Sequence, residues 1–129
     1  MGVIFWVLLL VSALSIAFVW WRMRRRVLTG FSRARVVRAW DHVELLESSM
    51  QKVLEADKVL DLALTILGVK GSIGEKLKIV GPRFSNIDAI WRAHKLRNRI
   101  AHEPGISIAD EEAQGAVRVF REAVWSLLG

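Results

Sequence analysis

Residues 35–67, RVVRAWDHVELLESSMQKVLEADKVLDLALTIL, decide the fold class. Apolar side chains recur along them at helical spacing: Val36, Trp40, Val43, Leu46, Met50, Val53 with Leu54, Leu60, Leu64 and Leu67. A recurrence every three to four residues marks an amphipathic helix, one face buried and one in water. No Gly or Pro interrupts the stripe, so one long helix and two helices in succession both fit it. Asp57 falls on or beside the stripe, between Val53 and Leu60. Two placements are open to it. It can lie at the margin in water, since a carboxylate is rarely buried unpaired, or face inward and hold an arginine such as Arg97.

Downstream, the chain breaks at the glycines of residues 68–76, GVKGSIGEK. These do not form a phosphate-binding loop, because no Gly-Lys-Ser/Thr follows at the right spacing and no strand precedes them. Gly68 or Gly71 reads as a helix C-terminal cap. Ser72, with Glu75 three residues on, reads as the start of a short helix that ends at Gly81-Pro82. Ser85 or Asn86 starts the next helix, which runs to about Glu103 and stops at Pro104-Gly105. Ser107 or Asp110 opens the last helix, with Ala113, Val117, Phe120, Val124 and Leu127 on its apolar face. No segment alternates like a strand. The expected fold is all-α, a bundle of four to five helices over residues 38–129.

The N-terminal end is of another kind. Residues 2–21, GVIFWVLLLVSALSIAFVWW, contain no charge. As a helix they span about 30 Å, the thickness of a bilayer's hydrocarbon layer. A cleaved signal peptide would need a basic start, a shorter apolar run and a small-residue cleavage site, whereas here nothing basic precedes the run, the run is longer, and it ends in Trp-Trp-Arg. Residues 1–21 therefore read as a retained transmembrane anchor closed by Trp20 and Trp21. Arg22, Arg24, Arg25 and Arg26 follow at once, and arginines on that side alone predict a single-pass protein with its C-terminal domain in the cytoplasm.

The net charge of +6 comes from this collar. Seven arginines (22, 24, 25, 26, 33, 35, 38) and no acid lie between Arg22 and Arg38, whereas all 13 acids fall after Trp40 beside the remaining 12 basic side chains. The basic segment at residues 22–37 fits anionic lipid headgroups, or a patch that concentrates RNA. The chain has no cysteine, which excludes disulfides and thiolate metal sites.

The stretch with chemical potential is residues 93–103, AHKLRNRIAHE. His94, Asn98 and His102 are spaced by four and form one polar row on a helix. Arg97 flanks that row, and Glu103 closes the phrase as a supporting acid. A histidine exchanges protons near neutral pH, a guanidinium grips two phosphate oxygens, and an asparagine orients either. Together they are a minimal set for metal-free RNA cleavage through the 2′-hydroxyl, with two copies serving the nucleophile and the leaving group. The structural alternatives are a helix-packing seam, with Arg97 paired to Asp57 or a C-terminal acid, His94 as a core spacer and His102 favoured by the helix dipole. A metal site is disfavoured, since His94 and His102 are about 12 Å apart along the axis and no HExxH or cysteine pair exists. No GxSxG elbow is present either. No cofactor is implied.

Arg97-x4-His102, with Asn98 directly after the arginine, resembles the signature of HEPN domains, small helical bundles that are frequently dimeric. Many members are metal-independent ribonucleases of toxin–antitoxin and defence systems. The resemblance covers roughly residues 38–129. It implies Arg97, His102 and Asn98 as the catalytic set, with His94, Asp57 and Glu103 in support. It also implies a homodimer, RNA or a nucleotide as ligand, and an antitoxin or other regulatory protein as a candidate partner. This chain departs from the nuclease members in having a near-neutral domain, which keeps open a non-catalytic binding or dimerisation module.

Overall fold

The stripe of residues 35–67 breaks at residues 45–48, and a serine makes the corner without Gly or Pro. The computed structural model covers residues 1–129 and describes all of them except the side chains of residues 23–25. Helix α2 (Gly30–Glu44) ends there and α3 (Ser49–Ile66) begins. Ser48 accepts a hydrogen bond from the Gln51 backbone N–H at 3.3 Å, one of the donors a helix start leaves unpaired. Of the two arrangements that fitted the sequence, two helices in succession is the one adopted. The corner leaves Leu45 exposed.

α3 ends at the glycine break in a Schellman motif. The Gly68 N–H reaches the Thr65 carbonyl and the Val69 N–H reaches the Leu64 carbonyl, both at 3.0 Å. Gly68 takes φ 90°, a left-handed conformation that a side chain would strain. Ser72 then caps α4 (Ile73–Val80), accepting from the Glu75 N–H at 3.2 Å. Ser72→Ala removes that cap and is expected to cost about 1 kcal/mol. In a domain of about 100 residues this lowers the melting temperature by roughly 4–8 °C, read by circular dichroism of the full chain in detergent.

A 3-10 turn (Gly81–Arg83) leads to α5 (Ile87–His102), and α6 (Asp110–Ser126) completes the order. Asn86 and Ala109 stand at the starts of these two helices without a side-chain cap bond. Asp110 instead accepts from Ser49 at the start of α3 and from Gln114 Nε2 at 2.7 Å, tying the ends of α3 and α6 together.

α3 is the central element. It packs against α2, α4, α5 and α6, and its Val53, Ala56, Leu60, Ala63 and Leu64 are fully covered. Trp40 of α2 is buried, meets Trp125 of α6 edge-on at 5.8 Å between ring centroids, and donates its Nε1–H to Glu44 at 2.8 Å. The protein is thus all-helical, with five helices in the bundle and one long apolar helix before them. The core reaches back past residue 38, taking in Val36 and Leu28. The Leu28 N–H bonds the Leu127 carbonyl at 2.7 Å, and the Gly129 N–H bonds the Leu28 carbonyl at 2.9 Å. Residues 28–37 are therefore built into the bundle.

Helix α1 (Gly2–Arg25) stands apart from that core. The most apolar 18-residue stretch within its residues 2–22 has a mean hydropathy of 2.6, and the bundle buries none of it. It is long and apolar enough to cross a membrane. The side chains of Arg24 and Arg25, which the sequence assigns to lipid contact together with Arg22 and Arg26, lie outside the described residues.

Candidate functional site

Helix α5 presents its phrase in a graded way. Ala93, His94 and Leu96 are buried, Arg97, Asn98 and Ile100 are half-buried, and His102 and Glu103 are exposed. α5 packs against α3 and α6, and the residues at its C-terminal end are exposed.

Within the covered part four side chains close a ring. His94 Nδ1 lies 2.9 Å from Asp57 Oδ1. A carboxylate only accepts, so Nδ1 carries the hydrogen. Asn98 Nδ2 lies 3.4 Å from His94 Nε2, the amide donating to the bare ring nitrogen. Arg97 Nη1 donates to Asn98 Oδ1 at 3.2 Å. Arg97 Nε then stands 3.4 Å from Asp57 Oδ2 and closes the circuit. That last contact is an ion pair without a hydrogen bond, and Nε is buried with no hydrogen-bond partner among the described residues. Trp91 covers the His94 ring edge-on at 6.0 Å, and Gly74 at the start of α4 lies beside it.

Asp57 therefore takes the inward placement of the two the sequence allowed. Its side chain is 3% exposed, and it holds both Arg97 and His94. A buried carboxylate is tolerable here because one hydrogen-bond donor, His94 Nδ1–H, and one positive charge, Arg97, face it. The sequence named Arg97 as its partner, but not His94. The sign was present in the spacing: an aspartate inside an apolar stripe, and a histidine on the inner row of a later helix.

A second ion pair, between a buried lysine and a partly exposed aspartate, had no reading in the sequence. Lys76 of α4 is 4% exposed. Its ammonium donates to Asp61 and, at 2.6 Å, to Thr65 Oγ1. Asp57 and Asp61 are one turn apart on α3, so two successive acids of one helix fasten α5 and α4 to it. That i, i+4 repetition is the signal available in the sequence.

His102 stands outside the ring. It is exposed in the last turn of α5, and among the described residues no hydrogen bond joins it to Arg97, Asn98 or His94. It follows Asn98 by one turn and Arg97 by about 7.5 Å of helix axis. Glu103 is the C-terminal cap residue and pairs with Arg99 at 3.8 Å. Both partners of that pair are more than half exposed, so it contributes little.

The chemistry open to each residue follows from this. Both ring nitrogens of His94 are engaged and its surface is covered, which makes it a positioning residue for Arg97 and Asn98. Arg97 keeps 25% of its side chain in solvent while a buried carboxylate fixes its stem. His102 is the histidine of α5 that solvent reaches. Compared with models of protein families, with curated protein sequences and with solved structures, the chain matches none of them.

Proposed function

We propose that this is a membrane-tethered, HEPN-like ribonuclease of the cytoplasm, working as a homodimer in which the ends of two α5 helices face one phosphodiester. The supporting observation is the order of polar groups along α5. A buried Asp57–His94 pair, continued by the half-buried Asn98, orients Arg97, and the exposed His102 follows one turn beyond Asn98.

In this reading His102 of one chain takes the 2′-hydroxyl proton, and the freed oxygen attacks the adjacent phosphorus. The 5′-oxygen leaves and takes a proton from the second chain's copy of the same histidine. Arg97 meets the charge that builds on the non-bridging oxygens, where a fixed cation stabilises the transition state more than the ground state. The products are a 2′,3′-cyclic phosphate and a free 5′-hydroxyl.

The test uses the full chain purified in detergent, single-stranded RNA and excess chelator, with fragment ends analysed by mass spectrometry. Cyclic phosphate ends formed in chelator are expected. A second reading, a non-catalytic module that holds RNA or a protein partner, is favoured by one observation: Asp57 and Asn98 already engage Arg97. Retention of intact RNA that His102→Ala weakens would select it. An absence of both cleavage and retention would remove both readings.

A further inference from the structure

The end of the bundle that receives the anchor carries a groove that the RNA reading leaves unused. Its floor is apolar, formed by Leu67, Val69 and Ile79, and it encloses a cavity of about 290 Å³. That volume lies near the lower end of ligand pockets, about 300–1,000 Å³. Three cations, Arg26, Lys70 and Arg83, line it, and no acidic side chain does. Burial lowers the pKa of the Arg83 guanidinium from its ordinary value.

The groove is held close to the end of α1. That helix ends at Arg25, and the next residue is already fastened to the bundle: Arg26 Nη1 donates to the Leu67 carbonyl at 3.1 Å. From Trp21 to Arg26 is five residues, about 7.5 Å at helical rise. If Trp21 marks the hydrocarbon boundary, Arg26 falls at the outer edge of the headgroup layer, about 5–7.5 Å deep on each side. The exposed large apolar side chains that follow α1, among the described residues, are Val27, Phe31, Leu45 and Ile79. Val27 and Phe31 follow the anchor directly, and Ile79 forms part of the groove.

From this placement we infer that the groove binds one anionic phospholipid of the membrane that α1 enters, an acyl segment lying on Leu67, Val69 and Ile79 and the phosphate meeting Arg26 and Lys70. The apolar floor selects a lipid over a free phosphate, since an inorganic ion would gain nothing from covering it. The absence of acids selects an anionic headgroup over a zwitterionic one. The inference rests on α1 being a membrane anchor and is independent of RNA cleavage.

The experiment is native mass spectrometry of the full chain in detergent, titrated with dioctanoyl phosphatidylglycerol, dioctanoyl phosphatidylcholine or inorganic phosphate. One phosphatidylglycerol per chain is expected, bound at least about fivefold more tightly than phosphatidylcholine, the preference one cation near a headgroup supplies. Lys70→Glu should weaken it about tenfold or more, and Ile79→Asp should weaken it as well. Both positions are exposed, and unchanged melting temperatures of these variants confirm their folding. Equal affinity of Lys70→Glu and the parent, equal affinity for the two lipids, or phosphate binding as tight as the lipid would each overturn the proposal. Flotation of the full chain with phosphatidylcholine vesicles separates the two readings. Flotation without lipid preference removes the groove alone, whereas failure to float removes the anchor and the groove with it.

Discussion

Asp57→Ala is expected to lower the stability of the bundle by about 3 kcal/mol, the lower end of the usual cost of breaking a buried ion pair by removing one partner. The loss has three parts. The Arg97 charge loses its counter-ion, the His94 Nδ1–H loses its acceptor, and a small void opens beside Ala56 and Leu60. The lower end applies because Arg97 retains a quarter of its side chain in water and can turn outward. For a domain of about 100 residues the melting temperature should fall by about 12 °C or more. Asp57→Asn should fall by less, since its amide oxygen still accepts from His94 while the charge facing Arg97 is gone. A melt of the alanine variant within about 2 °C of the parent would sink the view that the ring holds α5 to α3.

His102→Ala is expected to slow RNA cleavage by about 10²–10⁴-fold, the range over which a positioned acid–base side chain acts. It should leave the melting temperature unchanged, because the side chain is exposed and engaged by no hydrogen bond among the described residues. His94→Ala should do the reverse in proportion: a clear loss of stability, with activity falling because Arg97 and Asn98 lose their alignment. Arg97→Ala should lose on both counts, by about 10²–10³-fold in rate. The measurement is single-turnover cleavage alongside a thermal melt of each variant. If His102→Ala cuts RNA as fast as the parent, the assignment of the proton carrier is wrong even where cleavage persists.

The residue pairs that matter were legible to different degrees. Val53, Leu60 and Leu64 announced the inner face of α3, and Ser72 with Glu75 announced the start of α4, because each is a local pattern within a few residues. Arg97, Asn98 and His102 were legible as a motif but not as a geometry. The sequence offered Arg97 both as a phosphate grip flanking the row and as a partner of Asp57, and the guanidinium turns toward Asp57, 40 residues away in the chain. Nothing within α5 encodes that turn. It depends on which acid the neighbouring helix brings alongside, and on the absence of water between them.

The sequence by itself determined the all-helical class, the limits of α4 and α5, and an N-terminal helix able to cross a bilayer. These follow from the periodicity of apolar residues, from caps and breakers, and from the length of an uncharged run, all readable one turn at a time. Only the tertiary structure decided that Asp57 is inside, that His94 is locked while His102 is free, that Asp61 takes Lys76, and that Arg26 closes a groove with residues about 40 to 60 positions away. The helical period fixes the direction of a side chain on its own axis. Whether a margin position meets water or a partner depends on how neighbouring helices cross, which is set by packing summed over the whole core.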